Sequence, residues 1–222
     1  MAPTKFPVFK LHNLMKGIFI SRPNRFAGQI IYKGEIETIH IHDPGRLKEL
    51  LIKGADVLFT HSRGKLKYYL KAVRIENEWV LIDTALHSKI AMEIFEFLPE
   101  FSDVKELKKE VKIGNSRIDF VLDNIPLEVK GVSLVKDGIA LFPDAPTERG
   151  TRHVKEIIEN NGIILLLVFR KAKSFAPYWE MDPKFSKNLS EARRKGIKII
   201  IVQISFDGKT IYYEGRIPLL NF

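Results

Sequence analysis

The chain has 222 residues, of which 45% are hydrophobic and 28% charged, values that exclude a disordered or fibrous protein and allow one large domain or two small ones. Its 36 Lys and Arg against 27 Asp and Glu give a formal net charge of +9, which favours a polyanionic partner. The absence of cysteine excludes disulfides and thiolate zinc sites.

The beginning of the chain gives no sign of export. The segment MAPTKFPVFK lacks the apolar core of a signal peptide, and no stretch approaches membrane-spanning length. We therefore expect a cytoplasmic protein with no membrane partner. The two Gln residues, set beside abundant Lys, Glu and Ile, also predict a heat-adapted source.

The first 83 residues predict a small β-barrel. They hold 14 Lys and Arg against 8 Asp and Glu, so most of the net charge lies here. About five strands and one short helix fit an OB-like fold, with a curled meander as the alternative. The predicted strands are 16–22, 26–33, 35–41, 55–60, 67–75 and 79–82, and the predicted helix is 45–53.

From residue 84 the hydrophobic periodicity predicts helices alternating with strands. A helix capped by Thr84 and running to about 98 is followed by strands near 104–113, 116–123 and 125–131. A helix at 147–160, a strand at 163–169, a helix at 184–195, a strand at 197–204 and a final hairpin through Asp207-Gly208 complete the chain. This order predicts a mixed α/β sheet covered on both faces. We place the boundary near 83, between domains 1–83 and 84–222.

The segment 117–131 predicts a β-hairpin with an unusual polar face. A two-residue turn at Asp123-Asn124 pairs Phe120 with Leu127 on an apolar face. On the other face it sets Asp119 opposite Glu128, with Lys130 two residues further along the same side. Two carboxylates this close repel each other unless a cation lies between them.

This face has the chemistry of a phosphodiester hydrolase. Carboxylates are preferred ligands of Mg²⁺, and an ammonium beside them can stabilise charge on a phosphate or orient a water. Asp119, Glu128 and Lys130 are therefore the candidate catalytic residues, with Asp119 and Glu128 as ligands of Mg²⁺ or Mn²⁺. A salt-bridge cluster on a solvated sheet is the plain alternative.

Four stretches resemble a known family. SRPNRF (21–26), GNSRIDFVLD (114–123), PLEVKGVSL (126–134) and FPDAPTERGTRHVKEI (142–157) are similar to the sugar fermentation stimulation protein A (SfsA) family. The C-terminal half resembles the PD-(D/E)xK nuclease superfamily, although Ile118 stands at the place of the signature Pro. The resemblance implies an OB-like DNA-binding domain joined to a nuclease-like domain. It implies no sugar site, and the sequence indicates none.

Further candidate residues follow from position and resemblance. Glu93, on the helix 84–98, is a candidate third acidic ligand, with an exposed helix Glu as the equal alternative. Basic and aromatic residues at strand entries, at the barrel rim and on the helix 147–160 are candidate DNA contacts. These are Arg22, Arg25, Phe26, His42, Arg46, Lys65, Lys67, Tyr68, Arg149 and His153.

Two functions remain open at this point. One is a Mg²⁺- or Mn²⁺-dependent deoxyribonuclease that holds single- or double-stranded DNA without strong sequence preference. The other is a non-catalytic DNA-binding regulator, for example of sugar metabolism genes, that retains the nuclease fold. An RNA partner is also compatible with an OB-fold. No organic cofactor is expected, because the glycines form no phosphate-binding loop.

Overall fold

The computed structural model describes residues 5–221. The strands are β1 (Phe6–Lys10), β2 (Met15–Asn24), β3 (Ala27–Tyr32), β4 (Glu35–His40), β5 (Asp56–His61), β6 (Tyr68–Ile75), β7 (Glu78–Leu81), β8 (Leu107–Ile113), β9 (Ser116–Leu122), β10 (Ile125–Val132), β11 (Leu134–Lys136), β12 (Ile139–Phe142), β13 (Ile163–Val168), β14 (Ser174–Pro177), β15 (Lys198–Phe206) and β16 (Thr210–Arg216). The α-helices are α1 (His87–Ile94), α2 (Glu148–Glu159) and α3 (Pro183–Arg194). Short 3-10 segments occupy Thr84–Leu86, Phe95–Phe97 and Pro99–Phe101.

The N-terminal strands form a closed barrel. β2 pairs with β3 and β5, β3 with β4, and β6 closes the ring by pairing with both β4 and β5. Alternating residues of these strands point inward, and Phe19, Ile30 and Phe59 are buried in the shared core. The predicted OB-like five-stranded barrel is therefore confirmed.

The predicted helix 45–53 is wrong. The segment folds into turns, and Leu47 adopts a left-handed φ of 48° that a helix does not allow. The guanidinium of Arg22 donates to the carbonyls of Gly45 and Arg46, which a helix would have used for its own first turn. The leucines that gave the helical periodicity, Leu47 and Leu50, are buried against the barrel instead.

The C-terminal half is built on a mixed sheet in the order β8-β9-β10-β13-β15, with β16 beside β15. β10, β13 and β15 are parallel, while β8 and β9 run antiparallel to their neighbours. The apolar run of β13 sends Leu165 into the core shared with α1 and Leu166 into the core shared with α2 and α3. The prediction of a mixed α/β sheet covered on both faces is confirmed.

Some elements were not predicted. β1 pairs with β16 of the C-terminal half, although its residues lie at the start of the chain. A separate small sheet joins β11, β12 and β14. These strands are short, between three and five residues, so they carry little periodicity.

The helix that follows the barrel begins and ends differently from the prediction. Asp83, not Thr84, caps its first turn, because its carboxylate accepts from the N–H of Ala85. The α-helical part ends at Ile94, and a 3-10 turn continues to Phe97. Within residues 5–221, no helix combines the length and apolarity needed to cross a membrane.

Candidate metal and nucleic-acid site

A cleft of about 570 Å³ lies between the rim of the barrel and the C-terminal sheet. The barrel contributes Arg25 and the loop from Asp43 to Gly45. Most of the rest comes from β9, β10, β11, β12, the residues around the start of α1, and the segment 143–150 that leads into α2. Its charged lining comprises the carboxylates of Asp43, Asp119, Glu128, Asp144 and Glu148 and the basic side chains of Arg25, Lys130 and Arg149. An acidic floor flanked by cations suits a metal ion with a bound phosphate.

The β9–β10 hairpin forms as the sequence predicts. Asp123 and Asn124 have φ of 45° and 70°, the left-handed pair that a type I′ turn requires. Leu122 pairs with Ile125 and Phe120 with Leu127, the predicted register. This hairpin carries Asp119, Glu128 and Lys130 into the lining of the cleft.

The sequence predicts that Asp119 and Glu128 pair directly across the hairpin, but the structure does not pair them. The ladder ends at the Phe120–Leu127 pair, and beyond it the strands separate enough for the Asp119 carboxylate to accept the N–H of Val129 at 2.8 Å. This hydrogen bond fixes the orientation of Asp119. Burial, followed by the charge of Glu128, raises the pKa of Asp119 above its ordinary value. The repulsion that the sequence implies is therefore present in the folded protein.

Glu128 is buried and held from two sides. Its Oε1 contacts the ammonium of Lys130 and Nδ1 of His153, while its Oε2 is buried without a hydrogen-bond partner. Burial raises the pKa of Glu128, but Lys130 and His153 outweigh that effect and bring the pKa below its ordinary value. Glu128 is therefore an oriented carboxylate with one buried oxygen that has no hydrogen-bond partner.

The donor set fits a hard cation that keeps part of its water shell. Among residues 5–221, no group of three or more His, Asp or Glu side chains is arranged to enclose a metal. Mg²⁺ needs no such cage, because proteins bind it through one or two carboxylates with water and substrate oxygens completing the shell. The unpartnered Oε2 of Glu128 and the nearby Asp119 provide that minimum.

His87 was not predicted, yet it lines the cleft beside Lys130. Its ring stacks on Phe169 with 5.1 Å between centroids and lies directly over Gly131, where a Cβ would overlap the imidazole. Burial, partly offset by Asp83, lowers the pKa of His87 to about 4, so the ring is neutral at pH 7. The residue pattern held no signal for this, since the contact joins residues far apart in sequence.

Arg22 holds the barrel rim together and does not present its guanidinium to the cleft. It donates to the carbonyls of Arg25, Asp43, Gly45 and Arg46 at 2.7–2.9 Å. Its predicted role as a phosphate contact is therefore wrong, because those donors are already engaged. Asp144, from the C-terminal half, accepts the N–H of Arg46 at 2.9 Å and ties the same loop to the other side of the cleft.

The remaining ten candidates separate into three groups: two line the cleft, five are exposed on the barrel outside it, and three are placed differently from the prediction. Arg25 and Arg149 line the cleft. Phe26, His42, Arg46, Lys65 and Lys67 are exposed on the barrel but do not line the cleft.

The last three candidates are not placed as expected. Tyr68 packs in the barrel core against Phe59. Side chains alternate along a strand, so Tyr68 points inward and its neighbour Tyr69 points outward. Base stacking on Tyr68 is therefore excluded. His153 is buried behind Glu128, and Arg149 Nε lies 3.4 Å from its Nε2, so it orients Glu128 and has no surface for a phosphate. Glu93 is exposed on α1 and is not part of the cleft lining, so the structure does not bring it to Asp119 and Glu128.

Two family models match the chain. The model described as the SfsA N-terminal OB domain matches residues 20–82, and the one described as the sugar fermentation stimulation protein RE domain matches residues 85–210. The first covers the barrel, and the second covers both the hairpin and α2.

Individual proteins match along nearly the whole chain. A sugar fermentation stimulation protein homolog of Saccharolobus solfataricus is 43% identical, covering 96% of this chain and 89% of that protein. One of Methanothermobacter thermautotrophicus is 39% identical, covering 93% of each. The structure of Pyrococcus furiosus SfsA in complex with Ca²⁺ is similar with a TM-score of 0.92 and 30% identity, covering 97% of this chain and all of that one.

Proposed function

The chain belongs to the sugar fermentation stimulation protein family, and from this premise and the geometry of its cleft we propose that it is a divalent-metal-dependent nuclease acting on DNA. The observation that carries the proposal is the convergence of Asp119, Glu128 and Lys130 at the floor of an open cleft. The Ca²⁺ bound to the Pyrococcus furiosus relative supports a divalent cation as the partner of the two carboxylates. Mg²⁺ or Mn²⁺ is the expected working ion.

Asp119 and Glu128 are the residues that would hold the cation. A bound divalent cation supplies Lewis-acid polarisation of a phosphate oxygen and lowers the pKa of a bound water. Glu128 is kept ionised by Lys130 and aligned by His153, whose Nδ1–H donates to it. This use of a carboxylate ligand backed by a buried hydrogen-bonding neighbour is common in metal sites, where it fixes the ligand's orientation.

Lys130 acts on the phosphate. Its side chain is about one-fifth exposed and lines the cleft, and its ammonium contacts Glu128. There it is placed to stabilise negative charge that develops on the phosphate during hydrolysis. Arg25 from the barrel and Arg149 from α2 add positive charge that holds the DNA backbone. The neutral ring of His87 adds no competing charge at pH 7.

A cleavage assay tests the proposal. The wild-type protein should cut DNA in Mg²⁺ or Mn²⁺ and not in EDTA. Asp119→Asn and Glu128→Gln should each reduce cleavage by about 10²-fold or more, the scale found when a group that stabilises the transition state is removed. Lys184→Ala, an exposed residue on α3 outside the cleft, is the matched control and should cleave normally.

The alternative is a DNA-binding regulator without turnover. It is favoured by one observation, the engagement of Glu128 Oε1 by both Lys130 and His153, which is also the arrangement of a stable internal ion pair. Under this alternative the wild-type protein binds DNA and leaves it intact in Mg²⁺ and Mn²⁺. Binding without cleavage would overturn the nuclease proposal and support the regulator.

A further inference from the structure

A second concavity, of about 530 Å³, lies on the barrel outside the cleft. It is formed by residues of β4, β5 and β6 together with the loop between β5 and β6. Its lining contains His40, His61, Arg63, Lys65, Tyr69 and Lys71, and none of the described residues that line it is acidic. A basic concavity of this composition suits a polyanion.

The positive charge of the concavity comes mainly from its loop. Arg63 and Lys65 are exposed, and neither has an ion-pair partner within residues 5–221. Lys71 differs, because its ammonium lies 2.6 Å from the buried carboxylate of Asp83. Arg63 and Lys65 are therefore available to replace counterions on a phosphate backbone.

A cluster of rings adjoins these cations. The ring of Tyr69 lies 5.2 Å from that of His40 and 6.0 Å from that of His42. The hydroxyl of Tyr69 donates to Asp83 at 2.5 Å, and Asp83 is only 1% exposed. The ammonium of Lys71 lies over the Tyr69 ring, 3.7 Å from its centroid, so the ring is held by both Asp83 and Lys71. Anchored aromatic rings beside cations are the elements that bind unpaired bases without sequence preference.

The ring cluster connects the concavity to the cleft. His40 and Tyr69 line the concavity, while His42 is followed directly by Asp43, which lines the cleft. Thr84, another cleft residue, lies with its hydroxyl 3.5 Å from the carbonyl of His42. OB-folds bind oligonucleotides with the loops after their first and fourth strands. Here these loops carry Arg25, in the cleft, and Arg63 with Lys65, in the concavity.

The geometry points to a continuous track for an unpaired DNA strand that runs from Arg63 and Lys65, past the ring cluster at His42, to the cleft at Lys130. This inference rests on the proposed function and specifies its substrate class as single-stranded DNA or a duplex with a single-stranded end. A fully paired duplex keeps its bases stacked on each other, so it cannot place them against His40, His42 and Tyr69.

Binding in EDTA tests the track independently of cleavage. We use a fluorescent 16-nucleotide single strand and a 4-nucleotide strand of the same composition, about the two ends of the range of OB-fold site sizes. The wild-type protein should bind the long strand more tightly than the short strand and than a 16-base-pair duplex. Arg63→Ala with Lys65→Ala should weaken binding of the long strand by about tenfold. The matched control, Lys184→Ala with Lys187→Ala on α3, removes the same charge and should change binding less than twofold.

Tyr69 separates stacking from structural support. Tyr69→Phe and Tyr69→Leu both lose the hydrogen bond to Asp83, but only the first keeps an aromatic ring. Tyr69→Phe should bind the long strand within about twofold of wild type, and Tyr69→Leu should lose about tenfold, the scale of one base–aromatic stack. Equal losses in the two variants would overturn the stacking role, as would normal binding in both.

The track and the nuclease can fail separately. Equal losses in the Arg63/Lys65 variant and in the Lys184/Lys187 control, or tighter binding of the duplex, would overturn the track and leave cleavage at Asp119 and Glu128 unaffected. Absence of cleavage with intact, Arg63- and Lys65-dependent strand binding would overturn the nuclease and leave the track.

Discussion

The side chains at the cleft floor differ in which groups hold them. Glu128 is buried and contacts both Lys130 and His153, whereas Asp119 is oriented by a backbone N–H of the neighbouring strand. Lys130 is the member of the triplet that has both a carboxylate contact and access to the cleft. It is therefore the residue whose removal should separate the chemistry from metal binding.

Lys130→Met should leave the two carboxylates in place and remove the charge that faces the phosphate. We expect cleavage to fall by about 10²–10³-fold, as for other preorganised stabilising groups. Binding of Mn²⁺, measured by calorimetry, should be unchanged or tighter, because a competing cation beside Glu128 is gone. A variant that loses Mn²⁺ binding together with cleavage would show that Lys130 maintains the site and has no separate role on the phosphate.

His87 makes stability depend on pH in a defined direction. Its pKa is about 4 in the folded protein and near 6.5 when unfolded, so below pH 6.5 protons favour the unfolded chain. The stability gained from the neutral His87 ring is fully present above pH 6.5. It is lost as the pH falls toward 4, which lowers the free energy of unfolding by about 3 kcal/mol. His87→Leu should reduce this acid-side loss. Urea unfolding of the wild type and of His87→Leu at pH 7 and pH 4.5 measures this loss. If the free energy of unfolding fell equally between the two pH values in both proteins, His87 would not be its source.

The loop from Asp43 to Gly45 forms one wall of the cleft although it has no regular secondary structure. Arg22 holds it from the barrel, and Asp144 holds it from the loop before α2. Gly45 has no room for a side chain, since a Cβ there would overlap the Asp144 carboxylate. The two halves of the molecule therefore meet through a clamped loop at the mouth of the site.

Arg22→Met should release this loop. The loss of its carbonyl hydrogen bonds should lower the free energy of unfolding by at least the value of one hydrogen bond to a charged donor, about 1.5–3 kcal/mol, because water can replace part of the four contacts at this partly exposed side chain. Proteolysis within 43–47 should become faster, and cleavage of DNA should weaken. Arg46→Ala, an exposed neighbour, is the control. Proteolysis that is equally slow in Arg22→Met and wild type would contradict the clamp.

The hairpin and the loop show where sequence reasoning succeeds and fails. The register of β9 and β10 follows from two-residue periodicity and a turn sequence, both local signals, so the meeting of Asp119, Glu128 and Lys130 was predictable. The segment 45–53 has helical periodicity, but distant residues Arg22 and Asp144 take over its backbone groups. Tyr68 and Tyr69 are adjacent in β6, so one must point into the barrel and the other outward. Which of the two points inward depends on how β6 pairs with β4 and β5, which the sequence does not show.

On the scale of the whole molecule, the cleft collects charge from both halves of the chain. Arg25 comes from the barrel and Arg149 from α2, so under the proposed function a DNA backbone in the cleft would contact both halves at once. β1, which pairs with β16, gives a further connection between the start of the chain and the far sheet. The free energy of DNA binding should therefore depend on both the barrel side and the α2 side of the cleft.

Salt dependence measures these contacts. The affinity for single-stranded DNA should fall with salt, and each phosphate contact should contribute about −0.7 to the slope of log K against log salt. Arg25→Ala and Arg149→Ala should each make the slope less steep by about that amount, and the double variant by about twice as much. Lys184→Ala should leave it unchanged. If only one of the two arginines altered the slope, DNA would contact one wall of the cleft and not both.

We propose that Asp119 and Glu128 together hold a divalent cation in the cleft. Anomalous diffraction from crystals soaked in Mn²⁺ measures this directly. We expect one strong peak bonded to Asp119 and to Oε2 of Glu128, the buried oxygen without a partner, and its loss in Asp119→Asn. An empty cleft at saturating Mn²⁺, with Glu128 still engaged only by Lys130 and His153, would show that these two carboxylates do not bind a divalent cation.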